Sequence, residues 1–384
     1  MILAVPKEVV DGERRVALVP ESVKKLVKAG ADVVLEAGAG VASYFSDDDY
    51  QGAGATIEPD VVKLLSAADF IAKVQPPVHH PVAGRHEVDL FREGAAFLTT
   101  LYPTRNLDAV RRLAARRITS FAADCIPRTT RAQTMDVLSS MANIAGYKGV
   151  ILAADQLAKY FPMFMTAAGT VFQAKVFVIG AGVAGLQAIA TAKRLGATVT
   201  ATDTRPVVRE QVESVGGKFV GVDASESAQD AGGYAKELSK DFYDKQAKLI
   251  SDQCAINDVV VTTALIGGVK APKLITEEMV RRMKPGSLLI DLAAEGGGNC
   301  VLSEPGKMVE KHNVKICAPL NLPSQMPLHA STLYSRNVTS FLTAFLKDKA
   351  FNLDWNDEIL KGAVITHFGE VMHGPTKDAL SKAT

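Results

Sequence analysis

The sequence has no paired cysteines, no excess of either charge and no unbroken apolar run, and each lack sets aside a class of protein. Its four cysteines, Cys125, Cys254, Cys300 and Cys317, share no CxxC spacing and sit in no small secreted frame. They read as reduced thiols of a cytosolic protein. The 43 basic residues balance 42 acidic ones for a net charge of +1, which gives no electrostatic ground for a nucleic-acid partner or an anionic membrane surface. No stretch is expected to reach the ~20 apolar residues that cross a bilayer; the richest, residues 161–185, is broken by prolines, glycines and Lys175. The opening MILAVPKEVVDGERR places acids and a proline where a signal or transit peptide would not, so it reads as a first strand. A membrane role is therefore expected only through a partner.

What is present suits two α/β units. A chain of 384 residues, 47% hydrophobic and 22% charged, exceeds the ~250–300 residues at which single cores stop growing, so two domains are expected. Over the first 125 residues, short apolar runs at 2–5, 33–36, 70–73, 95–101 and 118–122 alternate with helical patterns. Residues 21–29 put Val23, Leu26 and Val27 on one helical face and stop at Gly30. From 135 to 159 polar and apolar residues keep a helical period, long enough to bridge two domains. Strands are then expected at 175–179, 198–202, 258–262, 288–291 and 314–316, with helices at 183–195 and 277–283 among them. Strands alternating with helices imply open, mostly parallel sheets. After the prolines of 319–327, an amphipathic helix over 331–347 is expected to cross back into the first unit. The fold class is thus α/β: two doubly wound parallel-sheet domains, with a Rossmann unit, 140–326, inserted into the other, 1–139 and 327–384. The last thirty or so residues carry little signal.

Residues 175–185, KVFVIGAGVAG, place Gly180, Gly182 and Gly185 in a GxGxxG run straight after an apolar strand and at the start of a helix. That context gives the short motif its meaning. Gly180 permits the tight turn, Gly182 lets the backbone approach a pyrophosphate, and Gly185 lets helix and strand pack closely. The intervening Ala181, Val183 and Ala184 bring N–H groups and the positive end of the helix to the phosphates. Asp203 ends the next strand; a carboxylate there accepts from ribose hydroxyls and repels a 2′-phosphate, favouring NAD over NADP. Thr204 lies beside it, and Arg205 is a counter-signal. The bland alternative is a glycine-rich turn with no nucleotide. Ala264 and Leu265, in TTALIGG (262–268), follow another expected strand at the edge where ligands bind, though a plain strand-to-loop turn explains them equally well.

Set beside RTTRAQTMDVLSSMANIAGYKGV and DLAAEGGGNC, the stretch GAGVAGLQAIATAKRLGATVTATDTR resembles the NAD(H)-binding domain of the alpha subunit of proton-translocating NAD(P) transhydrogenases. The likeness covers nearly all of residues 1–345. That fold is shared with alanine dehydrogenases and lysine-forming saccharopine dehydrogenases, so fold alone does not select the activity. The resemblance implies that PRTTRAQTMDVLS (127–139) lies around the nicotinamide, with Arg128, Gln133, Asp136 and Ser139 on the family's positions and Thr129, Thr130, Thr134 and Met135 beside them. Arg128, Gln133 and Asp136 are the expected catalytic set. A glutamine amide offers the carboxamide or ribose both a donor and an acceptor, and Arg128 can pair with Asp136 to fix the loop. From the residues alone, a polar helix N-terminus fits as well. The resemblance further implies a mobile loop, DASESAQDAGGY (223–234), whose Tyr234 closes over the nucleotide, and a weaker adenosine contact at Gln246. A plain surface loop is the other reading of 223–234.

Arg15, Lys73 and Glu295 fall where alanine dehydrogenases place a substrate-carboxylate arginine, a lysine and a catalytic aspartate. That family's acid–base histidine is matched here by Tyr102, and a tyrosine of pKa ~10 exchanges protons poorly near neutral pH. Hydride exchange between two nicotinamides needs no such group, only carbons held within about 3–3.5 Å. The resemblance thus implies NAD(H) on this chain, NADP(H) on a partner domain, a homodimer, and a separate membrane-spanning subunit that moves protons. It also implies a cytoplasmic location, peripheral on the inner membrane through partners. The lack of a hydrophobic span leads to the expectation that the subunits are split among genes. A stand-alone amino-acid dehydrogenase and a nucleotide sensor without catalysis stay open. His79, His80 and His86 lack the register of a metal site, and Arg111, Arg112, Arg116 and Arg117 read as a solvated face at a helix end.

Overall fold

The computed structural model describes residues 1–222, 239–265 and 270–383. The chain divides into two compact units, Met1–Met141 with Ser324–Thr384, and Ala142–Pro323. The first unit's strands begin with β1 (Ile2–Val5), β2 (Asp32–Glu36), β3 (Thr56–Glu58), β4 (Phe70–Ala72), β5 (Ala96–Thr99) and β6 (Thr119–Ala122). In the second unit β7 (Lys175–Ile179), β8 (Thr198–Thr202), β9 (Lys218–Phe219) and β10 (Val259–Thr262) come first. They are followed by β11 (Leu288–Asp291), β12 (Met308–Lys311) and β13 (Val314–Cys317). Strands β14 (Val364–His367) and β15 (Glu370–Val371) return to the first unit. The helices that matter to the site are α1 (Pro20–Lys28), α2 (Val137–Gln156), α3 (Val183–Arg194), α4 (Lys240–Ile256) and α5 (Pro327–Phe345). Helix α1 shows the local logic: proline at its start, Glu21 in its first turn and Lys28 in its last, each suited to the helix dipole or to the unpaired first N–H groups.

The first sheet runs β15-β14-β6-β5-β4-β1-β2-β3. From β6 to β3 it is parallel, and β14 and β15 add an antiparallel edge. The second runs β9-β8-β7-β10-β11-β13-β12, parallel except for β12 against β13. Among the parallel strands each order reverses once, between β1 and β4 and between β7 and β10. Open α/β sheets bind ligands at such switch points, beyond the carboxyl ends of the strands. Strands β10 and β11 are buried along their whole length because both sheet faces are covered, which is why they read as apolar runs without alternation. In β7, Val176 and Val178 face a core shared with Ala188 and Ile189 of α3, while Phe177 and Ile179 face another shared with Ile250 and Cys254 of α4.

Some expectations need correction. The helix expected over 135–159 forms as α2, yet its apolar residues encircle the axis. Val137 belongs to the core of the first unit, whereas Val150 and Ala153 enter a core of the second, so no single face collects the apolar side chains. Consequently α2, with a mean hydropathy of 1.3, is one helix long and apolar enough to cross a membrane by length and composition, contrary to the expected absence of any such stretch. The final residues, expected to be silent, build β14 and β15. Their turn, Phe368 (φ 44°) and Gly369 (φ 99°), is left-handed at both positions, and Phe-Gly is not the Asn-Gly signal that announces such hairpins.

Candidate functional site

In the second unit β7 delivers Gly180 to the switch point with a φ of 94°, a conformation that favours glycine. A Cβ there would stand 2.6 Å from Thr263 Oγ1, whose hydroxyl donates to the Gly180 carbonyl at 3.0 Å. At Gly185 a Cβ would drive into the Gly180 carbonyl oxygen, far inside van der Waals contact. Gly182 differs. It caps α3 without a side-chain hydrogen bond, and among the described residues a Cβ on it would meet Arg205 Nη2 alone, 4.0 Å away. Among the described residues the space over Gly182 is open, and the first-turn N–H groups of α3, at Val183 and Ala184, receive no side-chain cap. This arrangement suits a phosphate at the positive end of a helix, so the turn fits the dinucleotide that its motif implies.

Asp203, at the end of β8, ties the turn together. Its Oδ2 accepts from Ala181 N–H at 2.8 Å and its Oδ1 from Arg205 N–H at 2.9 Å. Arg205 Nε and Nη2 donate to the same two oxygens, each at 2.9 Å, and this bonding raises the arginine's already high pKa. Thr204 lies half-buried between the pair. Ala264 leaves β10 held on both sides by the fully buried Asn299, which accepts its N–H at 3.0 Å and donates to its carbonyl at 2.8 Å. Leu265 beside it is 38% exposed. Gln246 is buried on α4, and among the described residues no hydrogen bond joins it to the turn. Tyr234 and its loop lie outside the described residues.

In the first unit a 3-10 turn over Thr130–Met135 leads into α2. Ile126, Pro127, Arg128, Thr129, Thr130, Ala132, Gln133, Asp136 and Ser139 line a cavity of about 310 Å³. Asp136 acts as the cap of α2: Ser139 N–H donates to its Oδ1 at 2.8 Å and Ser139 Oγ to its Oδ2 at 2.6 Å. Arg128 Nε stands 3.8 Å from Asp136 Oδ2, a loose ion pair. Ala132 and Met135 are buried beneath the loop, and Asn337 of α5 donates to the Thr134 carbonyl at 2.8 Å, so the base is firmly anchored. Above it Thr130 and Gln133 are exposed. Among the described residues the lining includes no histidine, cysteine or lysine. Such a site can orient a ligand through hydrogen bonds and charge; its one carboxylate among the described residues, Asp136, is occupied by Ser139 as the cap of α2.

Residues 4–145 match the alanine dehydrogenase/PNT N-terminal domain and residues 149–374 the C-terminal domain of the same description. Over 377 residues the chain is 51% identical to a Rhodospirillum rubrum protein named as the first portion of NAD(P) transhydrogenase subunit alpha, a match spanning 97% of this chain and 98% of that one. The chain belongs to the alanine dehydrogenase/PNT family, among the transhydrogenase alpha subunits. The crystal structure of a transhydrogenase from Sinorhizobium meliloti agrees, with a TM-score of 0.84 at 43% identity over 97% of this chain and 99% of the other. Alanine dehydrogenase of Bacillus subtilis stands further off, 31% identical over 88% of this chain and 84% of its own. The chain is therefore an oxidoreductase component with a transhydrogenase role and a Rossmann-type nucleotide-binding unit.

The transhydrogenase relationship leaves the dehydrogenase-type residues to be placed. Arg15 Nε and Nη2 donate to Glu13 at 2.8 and 2.6 Å; burial pushes Glu13 up, but the guanidinium outweighs it and holds the carboxyl at about 2. Lys73, just after β4, is fully buried against Glu87 and, at 3.5 Å, Glu8. Burial lifts Glu8 to about 7 in spite of Lys73. Tyr102 has a left-handed φ of 45° and gives its N–H to Asp124 at 3.0 Å, while Glu295 accepts from Asn321 N–H at 3.0 Å. His79 and His86 face each other in a short antiparallel pair, and no metal-holding group is found among the described residues. Arg112 pairs with Asp108 and Asp89, and Arg116 bonds the Phe91 carbonyl, so that basic face is partly tied down. Thr263, Asn299 and Gly146 escaped the sequence reasoning. A Cβ on Gly146 would collide with the Ala184 carbonyl, so α2 passes directly behind the turn; a glycine inside a helical pattern was its only signal.

Proposed function

We propose that this chain holds NAD(H) as the hydride-exchanging component of a proton-translocating transhydrogenase, with NADP(H) on a partner domain and protons moved by a separate membrane subunit. The observation that supports this best is the cavity at 126–139, whose polar lining comes from Arg128, Gln133, Asp136, Ser139 and threonines and, among the described residues, includes no histidine, cysteine or lysine. Oxidation of an amino acid requires removal of a substrate proton, whereas hydride exchange requires placement alone. In this reading the Gly180–Gly185 turn takes the pyrophosphate and Asp203 the adenosine ribose. Gln133 takes the carboxamide, and Asp136 acts by holding Arg128 and Ser139 in position. The nicotinamide supplies the hydride.

The name of the Rhodospirillum rubrum relative, which makes it one portion of an alpha subunit, supports a membrane-associated assembly of several subunits. A homodimer is supported by the hairpin of Phe164–Thr166 and Gly169–Val171, where Met165 is 78% exposed and neighbouring Phe172 is 70% exposed. Isolated apolar side chains are ordinary on a surface, but several on one projecting hairpin suit a contact. Sedimentation of Met165→Asp should show a monomer where the parent chain is a dimer; a parent monomer removes this element of the reading.

The functional test mixes the chain with a purified NADP(H)-binding transhydrogenase domain and follows hydride exchange from NADH to an NADP analogue, with alanine plus NAD as the control. Exchange with an inert control is the expected result. Alanine-dependent NADH formation without exchange would overturn the reading. Gln133→Asn should slow exchange about tenfold more than it weakens NADH binding, and equal losses would reduce Gln133 to a binding contact.

A further inference from the structure

The 3-10 turn over Thr130–Met135 is held weakly by its own backbone, since the bond that closes it, from Asp136 N–H to the Gln133 carbonyl, is stretched to 3.4 Å. Its shape is taken from below. Ala132 and Met135 are buried in the same apolar core as Tyr334, Val338 and Phe341 of α5. On that helix Asn337 is buried among them, and its Nδ2 donates to the Thr134 carbonyl at 2.8 Å. The peptide group is planar, so a carbonyl gripped at Thr134 and a side chain buried at Met135 fix the stretch of chain that joins Gln133 to Asp136. Asn337 Oδ1, by contrast, has no hydrogen-bond partner among the described residues. A buried carbonyl left unpaired costs at least as much as one neutral hydrogen bond gains. An apolar side chain of the same size would keep the fold as stable, so stability does not account for an amide at this point.

We infer that Asn337 is a positioning residue for hydride exchange: its grip on the Thr134 carbonyl sets where the Gln133 side chain stands against the nicotinamide. It acts through the loop and not on the nucleotide. The inference rests on the reading of residues 126–139 as the nicotinamide site. Transfer between two carbons depends steeply on placement, and a misplacement of about 1 Å can cost about a hundredfold in rate. A loop that drifts on its base therefore keeps its ligand and loses speed.

Asn337→Leu in the full chain removes the bond and nearly keeps the volume. It should unfold at no lower urea concentration than the parent and bind NADH within about twofold of it by calorimetry, yet exchange hydride with a purified NADP(H)-binding transhydrogenase domain about tenfold or more slowly. In Asn337→Asp a protonated carboxyl still donates to Thr134, whereas an ionised one cannot and repels the carbonyl oxygen; burial moves its titration up from about 4 towards neutrality. Its rate, taken relative to the parent at each pH, should be near parental at about pH 6 and fall about tenfold by about pH 9. Added to Gln133→Asn, Asn337→Leu should slow exchange far less than it slows the parent, because the side chain being placed is already altered. Parental exchange by Asn337→Leu would overturn the inference. So would equal losses of exchange and NADH affinity, a rate loss that follows a loss of stability, a pH-independent ratio for Asn337→Asp, or full additivity with Gln133→Asn. A parent chain that itself exchanges no hydride would instead remove the nicotinamide-site reading, and the inference with it.

Discussion

The two units place opposite chemistry at the same topological point. Where β7 and β10 diverge in the second, Gly182 is bare and α3 begins without a side-chain cap among the described residues. Where β1 and β4 diverge in the first, Glu8 follows β1 and Lys73 follows β4, buried together with Glu87. Gln75 donates to Glu13 at 2.6 Å and joins this cluster to the Arg15–Glu13 pair. Buried charges persist when they are paired, and removing one partner costs more than the pair contributed. Among the described residues one switch point is open, and the other is filled by its own ion pairs, although Glu8 Oε2 makes no hydrogen bond. The same fold can thus put binding at one sheet edge and stability at the other, which is why fold alone never chose the activity.

Two substitutions should separate those roles most widely. Lys73→Met leaves Glu8 and Glu87 without their cation and should lower the unfolding free energy by about 3–5 kcal/mol in urea titrations, while the folded protein keeps its NADH affinity. A matching loss of affinity would show that the two points are coupled. Gly185→Ala forces a methyl against the Gly180 carbonyl, so it should cost about 3 kcal/mol and abolish NADH binding as well. Unchanged binding in that variant would mean that α3 can shift to make room.

Legibility in the sequence followed the same divide. Strands β7, β8 and β11 were placed to the residue because buried parallel strands are short apolar runs ended by turn residues, and Gly180, Gly182 and Gly185 were legible because each obeys a separate steric demand. What stayed hidden depends on distant partners. Asn299 matters only because it meets Ala264 across the sheet edge, and Gly146 only because α2 crosses behind α3. The edge strands β3 and β15, of three and two residues, are too short to show a period. The buried cluster could not be foreseen either: Lys73 was singled out only by its likeness to a dehydrogenase lysine, and Glu8 and Glu87 look like surface charges until the sheet brings them together. The functional weight of Arg128–Ser139 came from resemblance, since capping alone explains an Asp followed three residues later by Ser.

The smaller effects test the comparison more finely. Glu8 titrates near 7 in the fold against an ordinary value of 4.5, so the folded state holds its proton more tightly and stability falls as pH rises through that window. Glu8→Gln removes the dependence and should gain about 2–3 kcal/mol on the parent chain between pH 4.5 and pH 8 in urea unfolding. A difference that stays constant with pH would show that Glu8 is ionised throughout.

Gly182→Ala should do least to the fold. Among the described residues its new methyl meets nothing closer than Arg205 Nη2 at 4.0 Å, and the exchange of glycine for alanine at a helix cap costs about 1 kcal/mol. The methyl does, however, occupy the approach of the pyrophosphate, so NADH affinity should fall by about tenfold or more. This is the mirror image of Lys73→Met, affinity lost with stability kept. If calorimetry finds NADH binding intact in Gly182→Ala, the open space over that glycine does not receive the phosphates, and the contrast between a switch point built for a guest and one built for itself loses its physical basis.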